Sequence, residues 1–251
     1  MIQVSFSGGR SSAMMAKIML DNYERDQLIF MFANTGRELP QTLDFVHECD
    51  IHWNLKTVWI EYDKETKFRV VSRETASVDG RPFSDLIEKR RYVSNRIARF
   101  CTSDLKINPM KWYLKSVGIN SWTCALGIRH DEPNRYRRLK ASATDYIFPL
   151  YDFKITKANV YEFWKRQEFD LTIPSEHSNC DFCFMKGLAK KVNQARSMSE
   201  RLDWWIEQEN KVGATFVSEY TSAQIKYMAS QSELFTPAQM NAPEISCFCG
   251  D

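Results

Sequence analysis

Apolar residues gather first in short unbroken runs and later in a helical rhythm. Residues 2–6, 28–33, 57–62 and 122–128 are runs of the length of buried strands. Between and after them, residues 13–20, 39–49 and 110–117 place apolar side chains at helical spacing. Strand and helix alternate, which predicts an α/β fold with a mainly parallel sheet and crossover helices. Residues 63–99 are polar and irregular and read as an insertion over the mouth of the sheet. Past Pro149 the pattern is helical, over residues 157–167, 186–198 and 200–212, with Trp204 and Trp205 facing a core. The last stretch, 235–251, holds Pro237, Pro243 and Gly250 and is expected to be a flexible tail. The chain therefore divides into an α/β part, 1–150, and a helical part with a cysteine-bearing tail, 151–251.

Composition narrows the class. Hydrophobic residues make up 43% and charged residues 26%, enough apolar surface for a core and too much for a disordered chain. The formal net charge of +2 excludes a uniformly basic nucleic-acid coat but leaves room for local patches. Two such patches occur, at residues 89–99 and 129–140. For runs of this kind a solvated face is the default reading, against phosphate or nucleic-acid contact. No apolar run is long enough to span a membrane, and the N-terminus lacks a signal-peptide pattern, so a cytoplasmic protein is expected.

The first strand runs into Ser7-Gly8-Gly9-Arg10-Ser11-Ser12 and then a helix. Strand, glycine-rich turn and helix N-terminus together make an anion cradle, with exposed amides, a helix dipole and serine hydroxyls as donors. The plainer reading is a tight turn that needs small residues. The sequence is neither a Walker A loop nor the three-glycine dinucleotide fingerprint.

Ser5-Phe6-Ser7-Gly8-Gly9-Arg10-Ser11-Ser12 resembles the PP-loop of the adenine nucleotide alpha-hydrolase superfamily, and more closely that of the phosphoadenosine phosphosulfate (PAPS) reductase family. Further segments are similar to family motifs in the family's order. They are Asn34-Thr35-Gly36 for the Asp-Thr-Gly segment, Cys101 to Pro109 for the Cys-x-x-x-(Arg/Leu)-Lys-x-x-Pro segment, and Gly127-Ile128-Arg129 for the Gly-x-Arg strand end. Cys180-Asp181-Phe182-Cys183 falls at the Cys-x-x-Cys position. The resemblance is to the phage and prophage branch. It implies a HUP-like sheet and an adenine nucleotide, ATP or PAPS or its unphosphorylated relative, held by Ser5, Ser7, Gly8, Gly9, Arg10, Ser11, Ser12, Asn34, Thr35, Gly36, Lys106 and Arg129. Ser11 stands where the common PP-loop has Asp, and Asn34 where the family has Asp. ATP-cleaving members often use acids there to help hold Mg2+, so both departures weaken an ATP pyrophosphatase reading.

The cysteines carry the remaining chemistry. Cys101, Cys180 and Cys183 match positions that hold an iron–sulfur cluster in cluster-containing relatives, a [4Fe–4S] cluster being the expected type and zinc the competing metal. A fourth ligand would come from the tail, at Cys247 or Cys249. The alternative role for the tail follows from Cys249-Gly250, similar to the reductases' Cys-Gly pair, whose thiolate attacks the substrate sulfur. Cys124 in an apolar run reads as a core residue, and Cys49 as incidental. The resemblance implies an oxidoreductase that reduces a sulfonucleotide with a thioredoxin-like reductant. The second expectation is an ATP-dependent sulfurtransferase acting on RNA or DNA, and the third a non-catalytic nucleotide-binding phage accessory protein. A homodimer is compatible with each.

Overall fold

A computed structural model describes residues 1–142, 145–174, 177 and 179–231. Six strands form one sheet in the order β4-β3-β2-β1-β5-β6. In chain order the elements are β1 (Ile2–Ser5), α1 (Arg10–Asn22), β2 (Leu28–Asn34), α2 (Pro40–Trp53), β3 (Val58–Asp63), β4 (Lys67–Val71), α3 (Arg81–Arg90) and α4 (Phe100–Thr102). There follow α5 (Asn108–Ser116), β5 (Thr123–Ala125), α6 (Pro133–Ser142), β6 (Tyr146–Ile147), α7 (Pro149–Asp152), α8 (Lys157–Trp164), α9 (Leu188–Ser197), α10 (Leu202–Val212) and α11 (Ser222–Ser230). Every neighbouring pair is parallel except β3 and β4, which run antiparallel from Trp59 opposite Val71 to Asp63 opposite Lys67.

The chain builds outward from β1 to β2 and β3, then returns to place β5 and β6 on the other side of β1. The sheet therefore has its switch point between β1 and β5, where open parallel sheets bind ligands beyond the strand ends. One face of the sheet buries Val4, Phe6, Phe30 and Phe32 against Met15 of α1, Phe45 of α2 and Trp164 of α8. The other buries Met31, Ala33 and Ile60 against Met110 and Leu114 of α5. Successive strand residues alternate between these faces and residues two apart share one, as the pleat requires. A second core, with Phe83, Leu86, Phe184, Val192, Trp205 and Ile225, joins α3 to α9, α10 and α11.

The irregular insertion expected over residues 63–99 contains an edge strand and a helix, β4 and α3. In β4, Val70 is 57% exposed, so the strand lacks the apolar alternation that would have marked it. The path from α4 into α5 is one continuous helical run, widened over Ser103–Ile107 into π geometry. Such widenings recur at functional sites, and Lys106 sits on this one. Among the described residues no helix is long and apolar enough to cross a membrane.

Candidate functional site

The turn from β1 into α1 is built around Gly8 and Ser12. Gly8 has φ +80°, and a Cβ there would lie 2.6 Å from the Thr42 side chain, so only glycine fits. The Ser12 hydroxyl accepts from the Ser7 amide (3.1 Å) and donates to the Gly9 carbonyl (2.9 Å). Gly127, after β5, brings the neighbouring loop against this turn, since a Cβ there would sit 3.2 Å from the Ser12 backbone. The first amides of α1 are thus held at the switch point, the geometry that suits an anion.

The turn divides two hollows. A crevice of about 50 Å³ is lined by Arg10, Ser11, Arg129, Lys157 and Asn179. A cleft of about 480 Å³ lies on the sheet face, walled by Ser5, Ser7, Ala33, Lys106, Cys124 and Leu126 among others. The second volume falls in the range of small-molecule sites, about 300–1,000 Å³. The residues expected to hold a nucleotide are thereby distributed: Ser5, Ser7 and Lys106 face the cleft, Arg10, Ser11 and Arg129 face the crevice, and Gly8, Gly9 and Ser12 shape the turn between. Arg129 is buried and donates to the Ser11 hydroxyl (3.2 Å) and to Asp131 (3.0 Å). Arg10 forms a two-pronged pair with Asp170 (2.7 and 2.9 Å) and donates to the Leu171 carbonyl.

Residues 34–38 form the third wall. Asn34 donates to Glu61 (2.6 Å), and its side-chain oxygen accepts from the Gly36 amide (3.0 Å). Thr35 donates from its amide and hydroxyl to Glu38 (2.7 Å each), and Glu38 pairs with Lys106 at 3.5 Å. Glu61 is fully buried and also takes hydrogen bonds from Ser77 and Arg69, with Arg81 at 3.4 Å. A carboxylate therefore stands directly behind Asn34, where the family's Asp is missing, but arginines neutralise it.

The cysteine segment is tied to this wall. Leu39 donates to the Asn179 carbonyl (2.8 Å), Asp181 to the Arg37 carbonyl (2.9 Å), and Glu38 bridges to Cys180. The Asn179 side chain donates to the Ser7 carbonyl at 2.8 Å. Asp181, fully buried, binds Arg37, Arg201 and the Trp205 indole. Sequence reasoning missed Glu61, Asn179 and Asp181. A charged residue inside the apolar strand run 57–62 was the available signal for Glu61. Asn179 and Asp181 stood beside cysteines that drew the attention.

Cys101, Cys180 and Cys183 all pack on the second apolar core, Cys183 being buried and the other two partly so. Among the described residues no group of three His, Cys, Asp or Glu side chains is placed to hold a metal ion. The described cysteines thus do not by themselves form a three-thiolate site. Cys247 and Cys249 lie outside the described residues. Burial pushes the Cys124 thiol up to about 12 and the Cys49 thiol further, which makes both poor nucleophiles. Cys124 nevertheless lines the cleft rather than a closed core. Lys191, buried beside Cys183, is brought down to about 8 chiefly by desolvation. Of the basic runs, Arg90 pairs with Asp104, Arg96 with Glu219 and Arg135 with Glu132.

A family model described as the phosphoadenosine phosphosulfate reductase domain matches residues 1–172. The chain is 32% identical over 209 residues to an uncharacterised nin region protein of Escherichia phage lambda, covering 74% of this chain and 67% of that one. It is 30% identical over 114 residues to an uncharacterised protein of Methanocaldococcus jannaschii, covering 45% of this chain and 23% of that one. The matched family region contains the turn, the cleft walls, residues 34–38 and Arg129, and it ends before Cys180.

Proposed function

Because this chain belongs to the phosphoadenosine phosphosulfate reductase domain family, we propose that it binds an adenine nucleotide and performs sulfur chemistry on it, as a reductase of a sulfonucleotide. The observation that carries the reading is the anion-suited turn between β1 and α1 opening onto a nucleoside-sized cleft at the switch point. The phosphates would rest on residues 7–12, with Lys106 at the cleft rim and Arg129 behind Ser11. Planar guanidinium groups suit such oxyanions. The nucleoside would enter the cleft between Ser5, Ala33 and Leu126.

The chemical step assigned to the tail is a displacement. The Cys249 thiolate bonds to the substrate sulfur, the sulfur–oxygen bond to the nucleotide breaks, and the nucleotide phosphate leaves with that electron pair. The product is an enzyme thiosulfonate. A dithiol reductant of thioredoxin type then attacks the cysteine sulfur, releases sulfite, and ends as a disulfide after its second thiol restores Cys249. Cys247 is the neighbouring thiol available for the same exchange. The test is sulfite release from PAPS or its unphosphorylated relative with thioredoxin. Activity lost in Cys249→Ser with nucleotide binding retained supports the reading. Nucleotide binding without sulfite release in the wild type sinks it and leaves a binding protein.

One observation favours a second reading: Cys101, Cys180 and Cys183 share a single apolar core next to residues 34–38. An iron–sulfur cluster there would need Cys247 or Cys249 as well, since the described cysteines do not complete a site. With it, sulfur transfer to RNA or DNA becomes the leading activity. Iron and sulfide measured after anaerobic purification, and their loss in Cys180→Ser, separate the two. Zinc in their place indicates a bracing role.

A further inference from the structure

Gln3 is an anomaly in the central strand of the sheet. It pairs through its backbone with β2 and β5, opposite Ile29 and Cys124, and its side chain is 5% exposed. Its face is that of Ser5, two residues on, and both line the cleft. The one side chain hydrogen-bonded to its amide, among the described residues, is the Met110 thioether at 3.1 Å, and a thioether is a weak acceptor. A primary amide has two donors and a carbonyl oxygen with two lone pairs. Among the described residues its carbonyl oxygen accepts no hydrogen bond, yet it is not sealed from solvent, so the amide is left open to the cleft that it lines. If packing were the sole demand at this position, an apolar side chain of the same length would serve better.

We propose that Gln3 is the base-reading residue of the nucleotide site, its amide pairing with the adenine edge that carries the 6-amino group. This rests on the adenine-nucleotide reading above and adds the residue that selects the base. The chemistry is complementary. The 6-amino group donates beside a ring nitrogen that accepts, and a carboxamide accepts and donates side by side in the same order. The placement is right as well. Ser7 begins the phosphate turn, and Gln3 lies four residues deeper, about 13 Å along the strand, the scale of a nucleotide from phosphate to base edge. The surrounding walls, Leu126, Met110, Trp122 and Tyr146, are apolar or aromatic, as a purine face requires. Gln3 lies outside every glycine-rich or cysteine motif, so its role is visible only from its burial and its lack of a strong partner.

The test compares two ligands on two proteins. ATP and the purine riboside triphosphate that lacks the 6-amino group are titrated against wild type and Gln3→Met. In the wild type, loss of the 6-amino group is expected to weaken binding about tenfold, the worth of one well-placed hydrogen bond pair. In Gln3→Met the two ligands are expected to bind alike. A structural role for Gln3 would instead weaken both ligands equally and keep the tenfold ratio, which overturns the proposal. A wild type that binds both ligands equally overturns it without any variant, so an insoluble Gln3→Met does not protect it. A wild type that binds neither ligand overturns this inference, and where PAPS also fails to bind the adenine-nucleotide reading falls with it.

Discussion

Two buried carboxylates hold residues 34–38 from opposite sides, and they do so by different routes. Glu61 comes from β3, the strand beside β2, and its partners Ser77, Arg69 and Arg81 follow it within a short stretch of chain. Asp181 comes from far along the chain and binds Arg37 of the wall, Arg201 and Trp205. Both are fully buried. The first is a local clamp that shapes the Asn34 turn. The second is a long-range clamp that docks the Asn179–Cys183 region onto residues 34–38. The contrast shows one wall tied on one hand to the neighbouring strand and on the other to the cysteine segment.

The largest effect that would break this comparison is expected at Asp181. Asp181→Ala leaves the buried Arg37 and the partly buried Arg201 without their counter-charge, a loss of about 3–5 kcal/mol. Chemical denaturation should show it. Because Asp181 also carries the docking, alkylation of Cys180 should speed up in Asp181→Ala under native conditions. An unchanged alkylation rate would mean that the clamp stabilises the fold but does not place the cysteine. Glu61→Gln keeps the shape and part of the hydrogen bonding while removing the charge, and should cost less, about 1–3 kcal/mol. Its effect should fall on nucleotide affinity, through Asn34, and leave Cys180 alkylation as in wild type. If Glu61→Gln exposed Cys180 as Asp181→Ala does, the two clamps would be one network.

The two clamps also mark what the sequence discloses. The strands β1, β2 and β3 and the helices α1, α2 and α5 follow from apolar runs and helical spacing, because burial on both faces of a parallel sheet leaves that pattern. The turn at Gly8 and the place of Ser12 follow from residue type. β4 and α3 do not, since an edge strand with exposed Val70 and a helix opening on Arg81-Pro82 read as irregular chain. Local pairing within β3 and β4 could have been guessed from Glu61 standing inside an apolar run. The Asp181–Arg37 pair could not, because nothing in the spacing of residues 144 positions apart reports their contact. Gln3 was hidden for the opposite reason. A single polar residue in a buried strand leaves no periodic trace, and only the cleft beside it gives it meaning.

The smallest effect sharpens the comparison by removing burial from it. Arg10 and Asp170 form a third tie, at the turn between β1 and α1, with two hydrogen bonds and geometry as good as that at Asp181. Their side chains are 23% and 40% exposed, against none for Asp181. Water then screens the pair and rehydrates whichever partner is left alone, so Asp170→Asn should cost about 0.5 kcal/mol, with the difference shrinking as salt is added. Denaturation of wild type and variant at low and high ionic strength measures it. A cost near that of Asp181→Ala would show that pair geometry, not burial, sets the strength of these ties, and the distinction between a clamp and a surface contact would then fall. A small and salt-sensitive cost leaves Arg10 able to release Asp170 when a phosphate arrives at the turn, which neither Arg37 nor Arg69 could do without uncovering a buried carboxylate.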